Sequence, residues 1–257
     1  MSTTNCYSNF NDYIQYIVDN NDLDNFKSNY NVIGMLEHVT DNQGKLCLEY
    51  IKKLSPLTDQ QITSYCKNND TYGGGLKYNY GWITTSPNNF RYLLHAHLIL
   101  SHMKKLGKDV VKMVEVGCGY GGLCLALIQL ASVYDITITD YHLIDLSPVS
   151  SLQQKYLSNF ISNTKLHFHT ADAYGQDITD TNLYLVSDYC FSEIEDIHQQ
   201  KYIKNLFPKV SHGFMTWNSI LLYNFGFYVM FEAEYPLTNR YDNDNHIHPT
   251  DNKYVYF

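Results

Sequence analysis

Between Val110 and Leu127 the chain reads Val-Val-Lys-Met-Val-Glu-Val-Gly-Cys-Gly-Tyr-Gly-Gly-Leu-Cys-Leu-Ala-Leu, an apolar run broken by closely spaced glycines. Gly117, Gly119, Gly121 and Gly122 free the backbone from Cβ sterics, so it can bend sharply and approach a ligand closely. A helix that starts there turns unpaired N–H groups toward that ligand. Acids close the apolar runs around this turn: Glu115, Asp145, Asp172 and Asp188. A carboxylate at Asp145 suits the paired hydroxyls of a ribose. One at Asp172 suits an exocyclic amino group, with the Ala173 N–H beside it. An aspartate that opens a turn is common, so a single one carries little weight. Their recurrence around one glycine turn is the signal of a nucleoside-type cofactor site.

Glu115 separates two classes of nucleotide enzyme. Dinucleotide dehydrogenases usually place a hydrophobic residue two positions before the first glycine, whereas S-adenosylmethionine enzymes usually place an acid. Gly117, Gly119 and Gly122 also satisfy G-x-G-x-x-G, which keeps a nicotinamide-dependent oxidoreductase as an alternative. A third reading is a non-catalytic scaffold with the same fold.

The elements that must position these residues follow from periodicity. Residues 9–20, 45–54 and 58–68 have helical spacing, and Thr71–Pro87 is a loop dense in glycine and aromatics (Tyr72, Tyr80, Trp82). Pro87 opens a long helix that ends near Gly107. From Asp109 strands alternate with helices, the pattern of a parallel sheet. The expected strands are Val110–Val116, Thr139–Leu146, Lys165–Thr170, Leu183–Ser187 and Gly213–Asn218. A carboxy-terminal antiparallel hairpin is expected from Phe225–Tyr235 and Lys253–Phe257, and a helix from Glu193 to Phe207. The predicted fold is α/β and Rossmann-like, a seven-stranded, mostly parallel sheet with that hairpin. Residues 1–107 form a helical cap before a cofactor domain of residues 108–257.

The formal charge of −8 over 257 residues lacks the basic stripe that nucleic acid requires. Cys6, Cys47, Cys66, Cys118, Cys124 and Cys190 show no C-x-x-C pair and no zinc spacing, so buried thiols are expected. No signal peptide or membrane-spanning run is visible, and the reading is a cytoplasmic protein with no membrane partner. The oligomeric state is not legible.

Several separated pieces resemble the sugar O-methyltransferases, a class I S-adenosylmethionine-dependent family, over about residues 70–257. They are Ser86-Pro-Asn-Asn-Phe-Arg-Tyr, Val114-Glu-Val-Gly-Cys-Gly-Tyr-Gly-Gly, Leu143-Ile-Asp-Leu-Ser-Pro-Val, Gln153-Gln-Lys-Tyr-Leu, Ser187-Asp-Tyr-Cys-Phe-Ser-Glu-Ile, Gly213-Phe-Met-Thr-Trp-Asn and Pro236-Leu-Thr. The family often has Asn at Asp188 and Gly at Cys118. The resemblance implies S-adenosylmethionine as cofactor and a sugar or nucleotide-sugar hydroxyl as acceptor. The implied cofactor contacts are Glu115, Gly117, Gly119, Tyr120, Gly121, Asp145, Leu146, Asp172, Ala173 and Asp188. Arg91 joins them as a partner of the methionine carboxylate, or else ties the cap to an acid. Glu193 and Asp188 stand where a base would take the hydroxyl proton, although Glu193 equally suits the opening turn of a helix. His246 and His248, in Asp242-Asn-Asp-Asn-His-Ile-His-Pro-Thr-Asp, offer a base or divalent-metal ligands, and the same composition suits a polar connection. No metal is assigned. His97, in the apolar stripe of the long helix, reads as a hydrogen-bonded core residue.

Overall fold

The computed structural model describes the backbone of residues 3–217, 239–242 and 253–257, and side chains from 8–217 and 254–257. In chain order it contains α1 (Thr3–Asn20), α2 (Tyr30–Met35), α3 (Asp41–Leu54), α4 (Asp59–Asn69), β1 (Tyr78–Asn79), β2 (Thr84–Thr85) and α5 (Pro87–Lys105). There follow β3 (Val110–Val116), α6 (Gly122–Leu130), β4 (Thr137–Asp145), α7 (Ser147–Leu157), β5 (Lys165–Thr170) and β6 (Leu183–Asp188). The last elements are α8 (Asp196–Asn205), β7 (Val210–Trp217), β8 (Asn239–Asp242) and β9 (Lys253–Tyr256).

Contacts divide the chain into two compact units. The first holds Met1–Asp109, Gly119–Thr137 and Leu146–Asn163, and the second Val110–Cys118, Ile138–Asp145 and Thr164–Phe257. This partition differs from a break at 107/108, because α6 and α7 group with the amino-terminal helices. Helices need an apolar stripe to cover, and α6 and α7 find theirs on α1, α4 and α5.

In the helical unit the starts are chemically determined. Thr40 and Gln43 form a reciprocal capping box, and Thr58 and Gln61 form another. That is why α3 begins at Asp41, ahead of the periodicity read from residue 45. Ser86 caps α5 and Pro87 takes its first position, where a missing N–H costs nothing. α5 is buried on nearly every face, and packs on α3 and α6. His97 is buried, with Nδ1 2.7 Å from the Tyr134 hydroxyl, as expected of a core histidine. Tyr80 packs edge-on against Phe90, and Tyr72 against Tyr156 and Phe160, so these two loop aromatics serve as packing.

The second unit is the sheet, in the order β5-β4-β3-β6-β7-β9-β8 among the described residues. β5 runs parallel to β4, β6 to β3 and β7 to β6, while β9 is antiparallel to both β7 and β8. The terminal pairing therefore uses Asn239–Asp242 opposite Lys253–Tyr256. The strand expected over Phe225–Tyr235 lies outside the described residues. Alternation along the strands gives the sheet two chemically different faces. One carries Val114, Val116, Ile144, Leu183, Leu185, Met215 and Trp217, packed with Phe191, Tyr202, Leu206 and Phe207. The other carries Glu115, Tyr141, Asp145 and Asp188. Among the described residues, no helix is long and apolar enough to cross a membrane.

Candidate active site at the strand ends

The chain enters the sheet at β3, runs outward through β4 and β5, then returns to β6 on the opposite side of β3. Ligands of open α/β sheets collect beyond the carboxyl ends of the strands at such a reversal. Here those ends belong to β3 and β6, and the sheet unit brings several of the expected residues to them. The register Glu115↔Val186 sets Asp188 level with Gly117, and the Gly117 N–H donates to the Ile144 carbonyl at 2.9 Å, one residue before Asp145. The Ser187 hydroxyl donates to the Val116 carbonyl at 2.9 Å, fixing the two strand ends together.

Gly117 has φ +77°, and a Cβ there would overlap the Cys190 side chain. Two requirements for glycine thus coincide, left-handed backbone and close packing. Gly117→Ala is expected to cost roughly 2–4 kcal/mol by urea unfolding. Adding Cys190→Gly should recover part of that loss, and a purely additive double variant would contradict the overlap.

Glu115 is a strongly perturbed carboxyl. It is 1% exposed, and burial pushes it up to about 8, against the lowering effect of the Tyr141 hydroxyl donating to Oε2 at 2.5 Å. The charges of Asp188 and Asp145 push it further up. Burial also raises the Cys190 thiol well above its usual range, reinforced by Asp145, Glu193 and Glu115. Asp145, Glu193 and Glu115 therefore lie close enough to act on one thiol, and Asp188 close enough to act on Glu115. Asp188 accepts from the Thr216 hydroxyl at 2.7 Å. Tyr189, between Asp188 and Cys190, holds φ +69°, a conformation costly for a bulky side chain and typical of functional turns.

Glu193 does not open a helix. Its N–H donates to the Cys190 carbonyl at 2.9 Å within a turn, and α8 starts later, with Glu195 at the cap and Asp196 in its first turn. The helix expected from residue 193 is therefore shorter at both ends. Asp172 is exposed in a single 3-10 turn, Ala171–Ala173, directly after β5. His246 and His248 lie outside the described residues.

The other expected residues fall in the helical unit. Gly119 and Gly121 have φ +54° and +97°, with Leu36 and Leu157 packed where a Cβ would point. Gly121 caps α6, and Leu146 stands before α7. Tyr120 is buried and donates to Glu37 Oε1 at 2.9 Å. Arg91 is buried too, with Nη1 3.2 Å from His38 Nε2 and Nη2 donating to the Leu36 carbonyl at 3.4 Å. Sequence reasoning missed Glu37. Its Oε2 accepts from Ser86 Oγ at 3.1 Å and Asn88 Nδ2 at 2.9 Å, and burial raises its carboxyl. Nearby, Lys27 is wholly buried over the Tyr120 ring at 4.3 Å, and desolvation lowers its amine to about 8. No local motif announces this network, which joins residues scattered across the unit. Among the described residues, Cys47, Cys66, Cys118, Cys124 and Cys190 form no disulfide.

No protein-family model matches the chain, and no curated protein matches it. Solved structures of similar backbone include the methyltransferase domain of bacterial CtHen1, 11% identical over 63% of this chain and 96% of that one, with a TM-score of 0.48. An rRNA methylase from Streptococcus thermophilus is 14% identical over 62% of this chain and 93% of its own, with a TM-score of 0.46. CalS10, an amino pentose methyltransferase from Micromonospora echinaspora, is 12% identical over 48% and 50%, with a TM-score of 0.39. The strand order, the antiparallel β9 and the glycine turn after β3 define, on their own, the Rossmann-like class I methyltransferase architecture.

Proposed function

We propose that the protein is an S-adenosylmethionine-dependent O-methyltransferase acting on a hydroxyl of a sugar or nucleotide-sugar. The observation that carries this reading is the set of acids at the strand ends. Asp145, Asp188 and Glu193 lie close enough to Glu115 or Cys190 to act on them in the sheet unit, and Glu115 itself is held neutral by burial. A dinucleotide would bring a pyrophosphate, which such a rim repels. S-adenosylmethionine brings a sulfonium, an ammonium and two ribose hydroxyls, all of which carboxylates attract. The residues present fit that cofactor.

Asp145 would accept from the ribose hydroxyls, and Asp172 with the Ala173 N–H would meet the adenine. When bound, the cofactor supplies an electrophilic methyl group. The part of this chain would be to hold the acceptor hydroxyl in line with that methyl group and to take the hydroxyl proton on a carboxylate. Glu193, outside any helix and close enough to act on the Cys190 thiol, is the proposed base, and Asp188 the second candidate. The sugar acceptor is supported by the residues shared with sugar O-methyltransferases and by the acidic net charge, which disfavours a nucleic-acid acceptor.

The test pairs a panel of free, nucleotide-linked and polymeric sugars, with RNA beside them, with methyl-labelled S-adenosylmethionine, reading label in the product. Glu193→Gln is expected to keep cofactor affinity and lower kcat by about 10²–10⁴-fold. Unchanged turnover across the pH range would remove Glu193 from the role, and label appearing only in RNA would overturn the acceptor class.

A further inference from the structure

We propose that His142, His167 and Asp180 form a binding site for one divalent transition-metal ion of the zinc type. It lies on the sheet unit, on the face opposite Glu115 and Asp145, and stands independently of the methyl-transfer reading. Strand pairing creates it. His142 and His167 are register partners on β4 and β5, and both project where Ile144 also projects. Asp180 arrives from the connection between β5 and β6. One ligand atom from each of the three lies within 4.8 Å of the others.

The cluster extends beyond the three ligands. His169 Nδ1 is 2.6 Å from Asp177 Oδ2, and His169 Nε2 is 3.0 Å from His142 Nδ1. His142 Nε2 is in turn 3.0 Å from Asp180 Oδ2. In the tautomers where His169 Nδ1–H donates to Asp177 and His142 Nδ1–H donates to His169, His142 Nε2 presents a lone pair toward Asp180. That arrangement, a carboxylate orienting a histidine that orients a ligand, is how metal sites are buttressed. Asp140 buttresses the other imidazole, 3.0 Å from His167 Nε2.

The surrounding charge agrees. Lys112 lies 2.5 Å from Asp180 Oδ1 and 3.9 Å from Asp140, while Asp177 pairs with His169. Two imidazoles and one carboxylate suit zinc-type ions, which bind nitrogen at about 2.0–2.1 Å and leave the fourth position to water. The ion has a structural task here. Between β5 and β6 the described chain has only a short 3-10 turn, and Lys209 secures its middle by donating to the carbonyls of Gly175 and Ile178 at 2.7 and 2.6 Å. A metal at Asp180 would fasten the remaining end to β4 and β5. The His142 and His167 rings stack at 4.3 Å and 10°, so seating the ion turns one ring out of the stack.

The test uses untagged, chelator-stripped full-length protein titrated with Zn²⁺ by calorimetry and with Co²⁺ by absorption. One ion per chain is expected, with a rise in Tm and shifted imidazole NMR signals. His167→Ala and Asp180→Asn, at half-exposed positions, should weaken binding by at least about 100-fold, and His169→Ala by about 10–100-fold. His246→Ala/His248→Ala should bind normally. Absence of saturable binding, equal binding in His167→Ala and Asp180→Asn, or loss confined to the His246/His248 variant would overturn the site.

Discussion

Asp145→Ala is expected to weaken S-adenosylhomocysteine binding by about 10²–10³-fold while leaving the fold intact. Asp145 ends β4, on the same sheet face as Glu115 and Asp188, with its backbone level with the Gly117 turn. A carboxylate that accepts from two ribose hydroxyls makes two charge-assisted bonds, each worth about 1.5–3 kcal/mol. Desolvation offsets part of this, which leaves roughly 3–4 kcal/mol, or two to three decades in Kd. The substitution also removes a charge that raises Glu115, so the fold should be no less stable at neutral pH. Calorimetric titration of wild type and variant decides the matter, and an unchanged Kd would remove Asp145 from the site.

Glu115→Gln is expected to flatten the dependence of stability on pH. The folded carboxyl titrates at about 8 rather than 4.5, because burial disfavours its charge. The sign follows from which state holds the proton. Below 4.5 both the folded and unfolded chains carry it, and the neutral group costs nothing. Between 4.5 and about 8 the folded chain must retain a proton that the unfolded chain releases, and stability falls by about 1.4 kcal/mol per pH unit. Stability is thus lost as pH rises toward 8. Glutamine is neutral throughout and still accepts from Tyr141. The variant should match wild type at pH 5 and exceed it by roughly 2–4 kcal/mol at pH 8 in urea unfolding. Parallel curves at both pH values would contradict a neutral Glu115. A cationic ligand favours the ionised carboxylate, so cofactor binding at pH 7 should release a proton, measured by calorimetry in buffers of different ionisation enthalpy.

Much of the architecture was legible because local rules and tertiary packing agree. β5 spans Lys165–Thr170 as the alternation predicts, and Ser86-Pro87 marks the start of α5. The start of α3 was missed because its signal is the Thr40–Gln43 capping box rather than hydrophobic spacing. Glu193 looked like the first turn of a helix, since an acid there favours the dipole. Instead, the turn closed by the Cys190 carbonyl takes residues 190–193, and α8 waits for Asp196. The acids at strand ends could be found from sequence because apolar runs end at them. Glu37 could not, since its donors are separated from it by dozens of residues. The histidine cluster was hidden for a related reason. His142, His167 and His169 look unrelated along the chain, and only the β4–β5 register puts them together.

The measurement that bears most directly on the central claim is calorimetric titration of the purified protein with S-adenosylhomocysteine, beside NAD as comparison. Saturable binding of S-adenosylhomocysteine alone is the predicted result, since a carboxylate rim accepts ribose hydroxyls and an ammonium but repels a pyrophosphate. Binding of NAD in its place, or of neither by well-folded protein, would contradict it and leave the glycine turn as architecture.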